Sequence, residues 1–328
     1  MAVQNEGARV ERSVSSILAQ SHHHLELVVV DDGSTDDTWQ RLRGFADPRV
    51  VALRQEARGL PAALNAGLRL CRGQFIARMD GDDRAHPERL ATQLLALMQR
   101  PDVGYLGTGM RLFTPGGKLI GARRLPLTVE ETTAALEAGS NPFFHPTLLF
   151  RRQVLESVGG YREGFRKAED LDLHLRLRAH TAGCNLPDCL LDYEVRPASN
   201  QYRDDRPFAL YALVLHELER RGDGASAGDW QSGVWPALCE WHLHTRLPAM
   251  HQAALLRRQA SLACAERRWL QALRAALASL RLDAGPLKRR MRCASRFEGA
   301  WKMAATEFLQ TWQPPGAEQK PASKVVAQ

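Results

Sequence analysis

The sequence predicts an α/β fold built on a parallel, doubly wound sheet. Three observations carry this expectation. Apolar strand candidates alternate with amphipathic helices from the N-terminus to about residue 100, the pattern of successive strand–helix–strand units. The stretch "LELVVV" (25–30) is apolar apart from Glu26 and reads as a buried strand. The chain has 328 residues, 44% hydrophobic and 25% charged, which suits one large globular domain or two ordinary ones.

Taken in order, residues 7–20 read as a helix, with Val10, Val14, Ile17 and Leu18 on one face. Strand 25–30 leads into the turn "DDGSTDDT" (31–38), where Ser34, Thr35 or Asp36 can cap the next helix. "RVVALRQ" (49–55) is a strand and "GLPAALNAGLRLC" (59–71) a helix. "GQFIARM" (73–79) is the next strand, and Pro87 opens a helix over 86–100. The pattern then changes. Residues 103–113 and 117–125 read as strands about a Gly-Gly turn. Residues 128–139 form a helix whose Thr128 and Glu131 make a capping box. Residues 145–152 read as a strand, 169–183 as a helix with acid at its N-terminus, and 189–197 as a last strand. Long helical stretches dominate 206–312, and 313–328 has the composition of a disordered tail. The expected division is therefore 1–205, 206–312 and 313–328.

Composition excludes several classes. No apolar run approaches the roughly 18 residues that span a bilayer, and the N-terminus lacks the charge pattern of a signal peptide. The six cysteines form no CxxC pair, so neither a zinc site nor a disulfide framework is indicated, and a reducing cytoplasm fits best. The net charge of +7 resides wholly after residue 200. The stretch 281–296 has six basic residues against one acid. No nucleic-acid motif accompanies it. It reads either as a solvated face or as a patch that docks on an anionic membrane.

Two acidic clusters end apolar strands: Asp31-Asp32, and Asp80-Gly81-Asp82-Asp83. In an open α/β sheet, ligands bind outside the carboxyl ends of the strands. If the sheet is doubly wound, both clusters face one crevice. Adjacent carboxylates repel an anion and suit a hard divalent cation, which then recruits phosphate oxygens. No Walker lysine or GxGxxG loop is present to cradle phosphate directly.

Four stretches occur in order: "SILAQSHHHLELVVVDDGSTDDT", "GLPAALNAGLRLCRGQFIARMDGDD", "FFHPTLLFRRQVLESVGGYRE" and "AEDLDLHLRL". Together they resemble the family 2 glycosyltransferases over about residues 1–200. The resemblance implies the GT-A fold, a Rossmann-like nucleotide-binding half joined to an acceptor half, here followed by the helical C-terminal extension. It implies single-displacement inversion, moving a sugar from a nucleoside-diphosphate donor, a UDP-sugar first, to a hydroxyl of a glycan or lipid-linked glycan. It places Asp31, Asp32, Asp80 and Asn65 at the donor, and Asp82 with Asp80 on Mn²⁺ or Mg²⁺. Asp170 matches the general base, with Glu169 beside it, and His145 lies on the acceptor side. The setting it implies is cytoplasmic synthesis of envelope polysaccharide or lipopolysaccharide, with peripheral attachment at the membrane.

The sequence departs from the family pattern twice. Only Met1 to Val3 can belong to the first central strand, which reads as missing or truncated and predicts exposed backbone groups on its neighbours. In "DYEVRPASN" (192–200), Tyr193 and Ser199 match a loop that closes over the diphosphate, Glu194 replaces an arginine, and Arg196 stands at a histidine position. Arg196 can pair with phosphate but cannot ligate a metal. Two alternatives come from other classes. One is a non-catalytic nucleotide-sugar-binding or scaffold protein, degenerate through its first strand. The other is a phosphohydrolase with a strand-end aspartate nucleophile, for which Arg84 stands where Thr or Val is required.

Overall fold

The computed structural model describes residues 1–165, 167–196 and 206–221. The first half holds β1 (Ala2–Val3), α1 (Ala8–Leu18), β2 (Leu27–Asp32), α2 (Thr38–Arg43), β3 (Val50–Gln55) and α3 (Leu60–Leu70). β1, β2 and β3 form a parallel sheet in that order. β2 is buried at all six positions, and its period of two divides it between two cores. Val28 and Val30 pack with Ala63, Leu64 and Ala66 of α3. Leu27 and Val29 pack with Val10, Val14 and Ile17 of α1. A helix on each face is what a strand apolar on both faces requires.

β4 (Phe75–Ala77), β5 (Arg84–Ala85), α4 (Arg89–Met98), β6 (Val103–Phe113) and β7 (Leu119–Arg123) follow. Next come α5 (Val129–Glu137), a 3₁₀ turn (His145–Thr147), β8 (Leu149–Arg151), α6 (Arg152–Ser157), α7 (Glu169–Leu177), β9 (Ala182–Glu194) and α8 (Arg206–Arg221). The second sheet runs β4-β8-β6-β9-β5, with β7 on β6. Only its β6–β9 pair is parallel. A single parallel bridge, Ala2 to Asp80, links the two sheets.

Several expectations need correction. The parallel sheet does not run through β4, which pairs antiparallel with β8. The helix expected to 183 ends at Leu177, and β9 starts at Ala182. β9 absorbs Pro187 and Asp188, which lie between the expected helix and strand, at a register shift opposite Thr108 and Gly109, where a missing N–H costs no ladder bond. The strand expected over 145–152 is a 3₁₀ turn and then only three residues, because Pro146 has no N–H to pair. The expected Thr128 box forms: Glu131 N donates to the Thr128 hydroxyl at 3.2 Å, and Thr128 N donates to the Glu131 carboxylate at 3.2 Å.

The first strand is short but paired on both sides. Ala2 and Val3 lie opposite Val30 and Asp31, and Ala2 also bridges to Asp80. The Met1 ammonium donates to Val28 O at 2.9 Å, taking the next position on the β2 edge. Burial lowers its pKa to about 6. α8 packs on α7, its Ala212, Val214 and Leu215 are buried, and Glu219 accepts from Arg162 at 2.7 Å. Among the described residues, no helix is long and apolar enough to cross a membrane. The expected helical region beyond 221, the basic stretch 281–296, the tail 313–328 and Ser199 lie outside the described residues.

Candidate active site

Both acidic clusters reach one rim. Asp31 and Asp80 lie on either side of β1, through its pairing with β2 and its bridge to Asp80. Two strand spacings make that separation roughly 10 Å. Asp32 closes β2 with a buried carboxylate. It accepts from Gln55 Nε2 at 2.7 Å, Arg58 N at 2.9 Å and Gly59 N at 2.8 Å. It thereby fixes the β3–α3 loop, in which Gly59 takes φ 95°. Asp31 is fully buried, accepts from Ser34 N at 3.1 Å and from the Ser34 hydroxyl, and faces Arg54 Nε at 3.2 Å. The following turn is latched to residues 5–7. Thr35 N donates to Asn5 Oδ1 at 2.8 Å, and Glu6 N and Gly7 N both donate to the Thr38 hydroxyl at 2.8 Å.

The second cluster lies between β4 and β5. Asp80, Asp82 and Asp83 each offer a carboxylate oxygen within 4.8 Å of the others. Gly81 permits this turn to sit on β1, since a Cβ there would come within 2.4 Å of Val3 Cγ1. Asp83 is buried, and neither of its oxygens has a hydrogen-bond partner among the described residues. Burial, then the Asp80 charge, push its pKa well above the usual carboxylate range. Three hard oxygens, one of them orphaned, fit a divalent cation. Internal cations hold the other two. Arg78 pairs with Asp80 at 2.7 Å, and Arg196 pairs with Asp82. Arg78 is buried; burial opposes its charge, but Asp80, Tyr161 and Glu169 more than compensate and raise its pKa.

A second wall comes from α7, near enough for Arg78 and Asp80 to act on Glu169. Ala168, the residue before the helix, takes the left-handed conformation at φ 57°, which costs a non-glycine residue roughly 1–2 kcal/mol. Glu169 is buried, and its pKa is pushed up to about 8 by burial and then by the Asp170 charge. Asp170 is half-buried and accepts from Asn141 Nδ2 at 2.8 Å. His145 Nδ1 lies 3.6 Å from Glu169 Oε1, and its Nε2 is 2.8 Å from the Tyr161 hydroxyl. Burial, then Arg78 and His174, hold the His145 pKa well below its ordinary value. Asn65 reaches this wall from α3. Its Nδ2 donates to Tyr161 O at 2.8 Å, and its Oδ1 accepts from Tyr161 N at 2.9 Å.

The structure thus gathers Asp31, Asp32, Asp80, Asp82, Glu169, Asp170, His145 and Arg196 about the rim and its wall. Asn65 is engaged with backbone. Sequence reasoning gave no role to Arg78 or to Tyr161, and named Asp83 only within the acidic cluster. Arg78 was visible as the one charge inside the apolar run "FIARM". The Tyr161 contact is made 16 residues away from His145 and had no local signal. A surface groove of about 630 Å³ lies elsewhere, between α1 and α2, lined by Glu11, Ser15, Gln40, Arg41 and Phe45.

Residues 1–159 match the description of Glycosyl transferase family 2. The chain is 33% identical over 207 residues to the O-antigen biosynthesis glycosyltransferase WbnJ of Escherichia coli, covering 61% of this chain and 80% of that one. It is 32% identical over 206 residues to the amylovoran biosynthesis glycosyltransferase AmsE of Erwinia amylovora, covering 60% and 74%. Its fold is similar to that of the mannosyltransferase PcManGT from Pyrobaculum calidifontis in complex with GDP-Man and Mn²⁺. That match has a TM-score of 0.53 and 23% identity, covering 93% of this chain and 84% of that one. It is also similar to S. aureus TarS 1–349 in complex with UDP-GlcNAc, with a TM-score of 0.57 and 16% identity, covering 94% and 90%. With these matches the phosphohydrolase reading falls away: the chain is a GT-A-fold glycosyltransferase and belongs to glycosyl transferase family 2.

Proposed function

We propose that the chain is an inverting, metal-dependent transferase that moves a sugar from a nucleoside-diphosphate donor, a UDP-sugar first, to a hydroxyl of a glycan or lipid-linked glycan. The observation that carries this reading is the proximity of two acidic groups. A cluster of three carboxylates and the Glu169-Asp170 pair lie near enough for the Arg78 guanidinium to act electrostatically on both. Asp80 and Asp82, with Asp83 behind them, would hold Mn²⁺ or Mg²⁺. A cation bound there supplies charge neutralisation for the leaving diphosphate.

The other roles belong to side chains. Asp32, with the loop it fixes, and Asp31 shape the nucleoside pocket. Arg196, beside Asp82, is placed to pair with phosphate oxygens. Asp170 takes the acceptor hydroxyl proton. Glu169, with a pKa of about 8, carries its own proton at pH 7 and leaves that task to Asp170. His145 stands behind Glu169 on the acceptor side. The names of WbnJ and AmsE support a place in envelope polysaccharide synthesis. Cytoplasmic location, with docking at an anionic membrane through 281–296, completes the proposal and rests on composition alone. A panel of UDP- and GDP-sugars, each with and without Mn²⁺, tests the donor by thermal shift. Metal-dependent stabilisation by one donor is expected; none with any donor would argue against the reading.

A further inference from the structure

We infer that Tyr161 is a positioning residue: its phenol donates to His145 Nε2, which puts the ring proton on Nδ1, the nitrogen that faces Glu169. The donors available to the pair decide the tautomer. Tyr161 is buried, and its hydroxyl contacts His145 Nε2 at 2.8 Å. No other hydrogen bond of the hydroxyl is present among the described residues. If Nε2 carried the proton and donated, the phenol proton would be buried without an acceptor, a costly arrangement. If the phenol donates, both groups are satisfied. A neutral imidazole has one donor nitrogen and one acceptor nitrogen, and His145 is held neutral by its burial. Its remaining proton then lies on Nδ1, 3.6 Å from Glu169 Oε1.

The anchoring of Tyr161 explains why this orientation is fixed. Gly159 and Gly160 take φ 70° and 72°, consecutive left-handed positions that turn the chain sharply. A Cβ on Gly160 would come within 2.8 Å of Asn65 Oδ1. The Asn65 amide then grips Tyr161 through both its N–H and its C=O. A line of contacts therefore runs from α3 through Asn65 and Tyr161 to His145 and Glu169. It joins the nucleotide-binding half to the acceptor wall. Glu169 is also acted on by Asp170 of α7 and by Arg78 and Asp80 after β4; His145 is also acted on by Arg78 and by His174 of α7.

The consequence for Glu169 in transfer rests on the function proposed above, but the test does not. Long-range ¹H–¹⁵N spectra of the full chain read the tautomer directly, with the His145 signal assigned by its loss in His145→Gln. The wild-type ring at pH 7 is expected as the Nδ1–H form, and Tyr161→Phe should move it toward Nε2–H. A wild-type Nε2–H ring would overturn the proposal without any variant. So would an unchanged tautomer in folded Tyr161→Phe. None of these readouts needs donor or metal, so failure of the transfer reading leaves them unaffected.

Discussion

Glu169 and Asp170 are neighbours in sequence but not in environment. Glu169 is buried with a pKa of about 8, while Asp170 is half-buried and tied to Asn141. On the proposed function, this separation makes Asp170 the base. Asp170→Asn is expected to lower kcat by about 10² to 10⁴ with little change in donor affinity, because a base acts on the acceptor proton in the transition state. Near-parental turnover would transfer the role to Glu169. Glu169 also makes stability depend on pH. Its folded pKa lies above the ordinary 4.5, so between these values the unfolded state ionises and the folded state does not. The resulting cost is absent below about pH 4.5, grows through the interval, and is complete above about pH 8. Glu169→Gln removes it. Urea denaturation should show the variant more stable than the parent at pH 8.5, with the difference fading toward pH 4.5. A constant difference across that range would contradict the assignment. At this scale most of the site was legible, because carboxylates at strand ends and at a helix start announce themselves. Tyr161 and Arg78 were not, because their roles come from partners that only the tertiary fold supplies.

Among the elements, β1 does the most with the fewest residues. Ala2 and Val3 alone separate Asp31 from Asp80, and Val3 packs on Gly81 so closely that a Cβ would overlap it at 2.4 Å. Gly81→Ala is therefore expected to cost about 1–3 kcal/mol, the range for overpacking a core, and Val3→Ala in the same chain should recover part of it. Chemical denaturation of the two single variants and the double variant measures this coupling. Strict additivity would mean that the turn yields without moving β1. The parallel strands were legible where one sequence feature decided the outcome. The alternating split of β2 between α1 and α3 follows from its six apolar and acidic residues. β9 was not legible in the same way. Its first residues follow a helix without a glycine or proline to mark the change, and its pairing with β6 across about 80 residues is a tertiary choice. β5, two residues long, carries no periodic signal at all.

At the scale of the whole molecule, the two sheets meet along the rim where the acidic clusters lie. The surplus positive charge lies far along the chain, after residue 200. If "KRRMR" (288–292) docks on a membrane, the protein should co-sediment with anionic and not neutral liposomes, and replacing Lys288, Arg289, Arg290 and Arg292 with Gln should release it. Each basic residue near such a surface contributes about 1 kcal/mol, and the attraction should fade as salt shortens the screening length. Binding indifferent to lipid charge and salt would remove the electrostatic account. The central claim, a carboxylate-held cation serving sugar transfer, is tested most directly by release of the nucleoside diphosphate from a donor panel, in Mn²⁺ and in EDTA, for the parent and for Asp82→Ala. The account predicts release from one donor in the parent with Mn²⁺, its loss in EDTA, and its loss in a folded Asp82→Ala. Release that persists in EDTA, or that Asp82→Ala leaves at the parental rate, would contradict it.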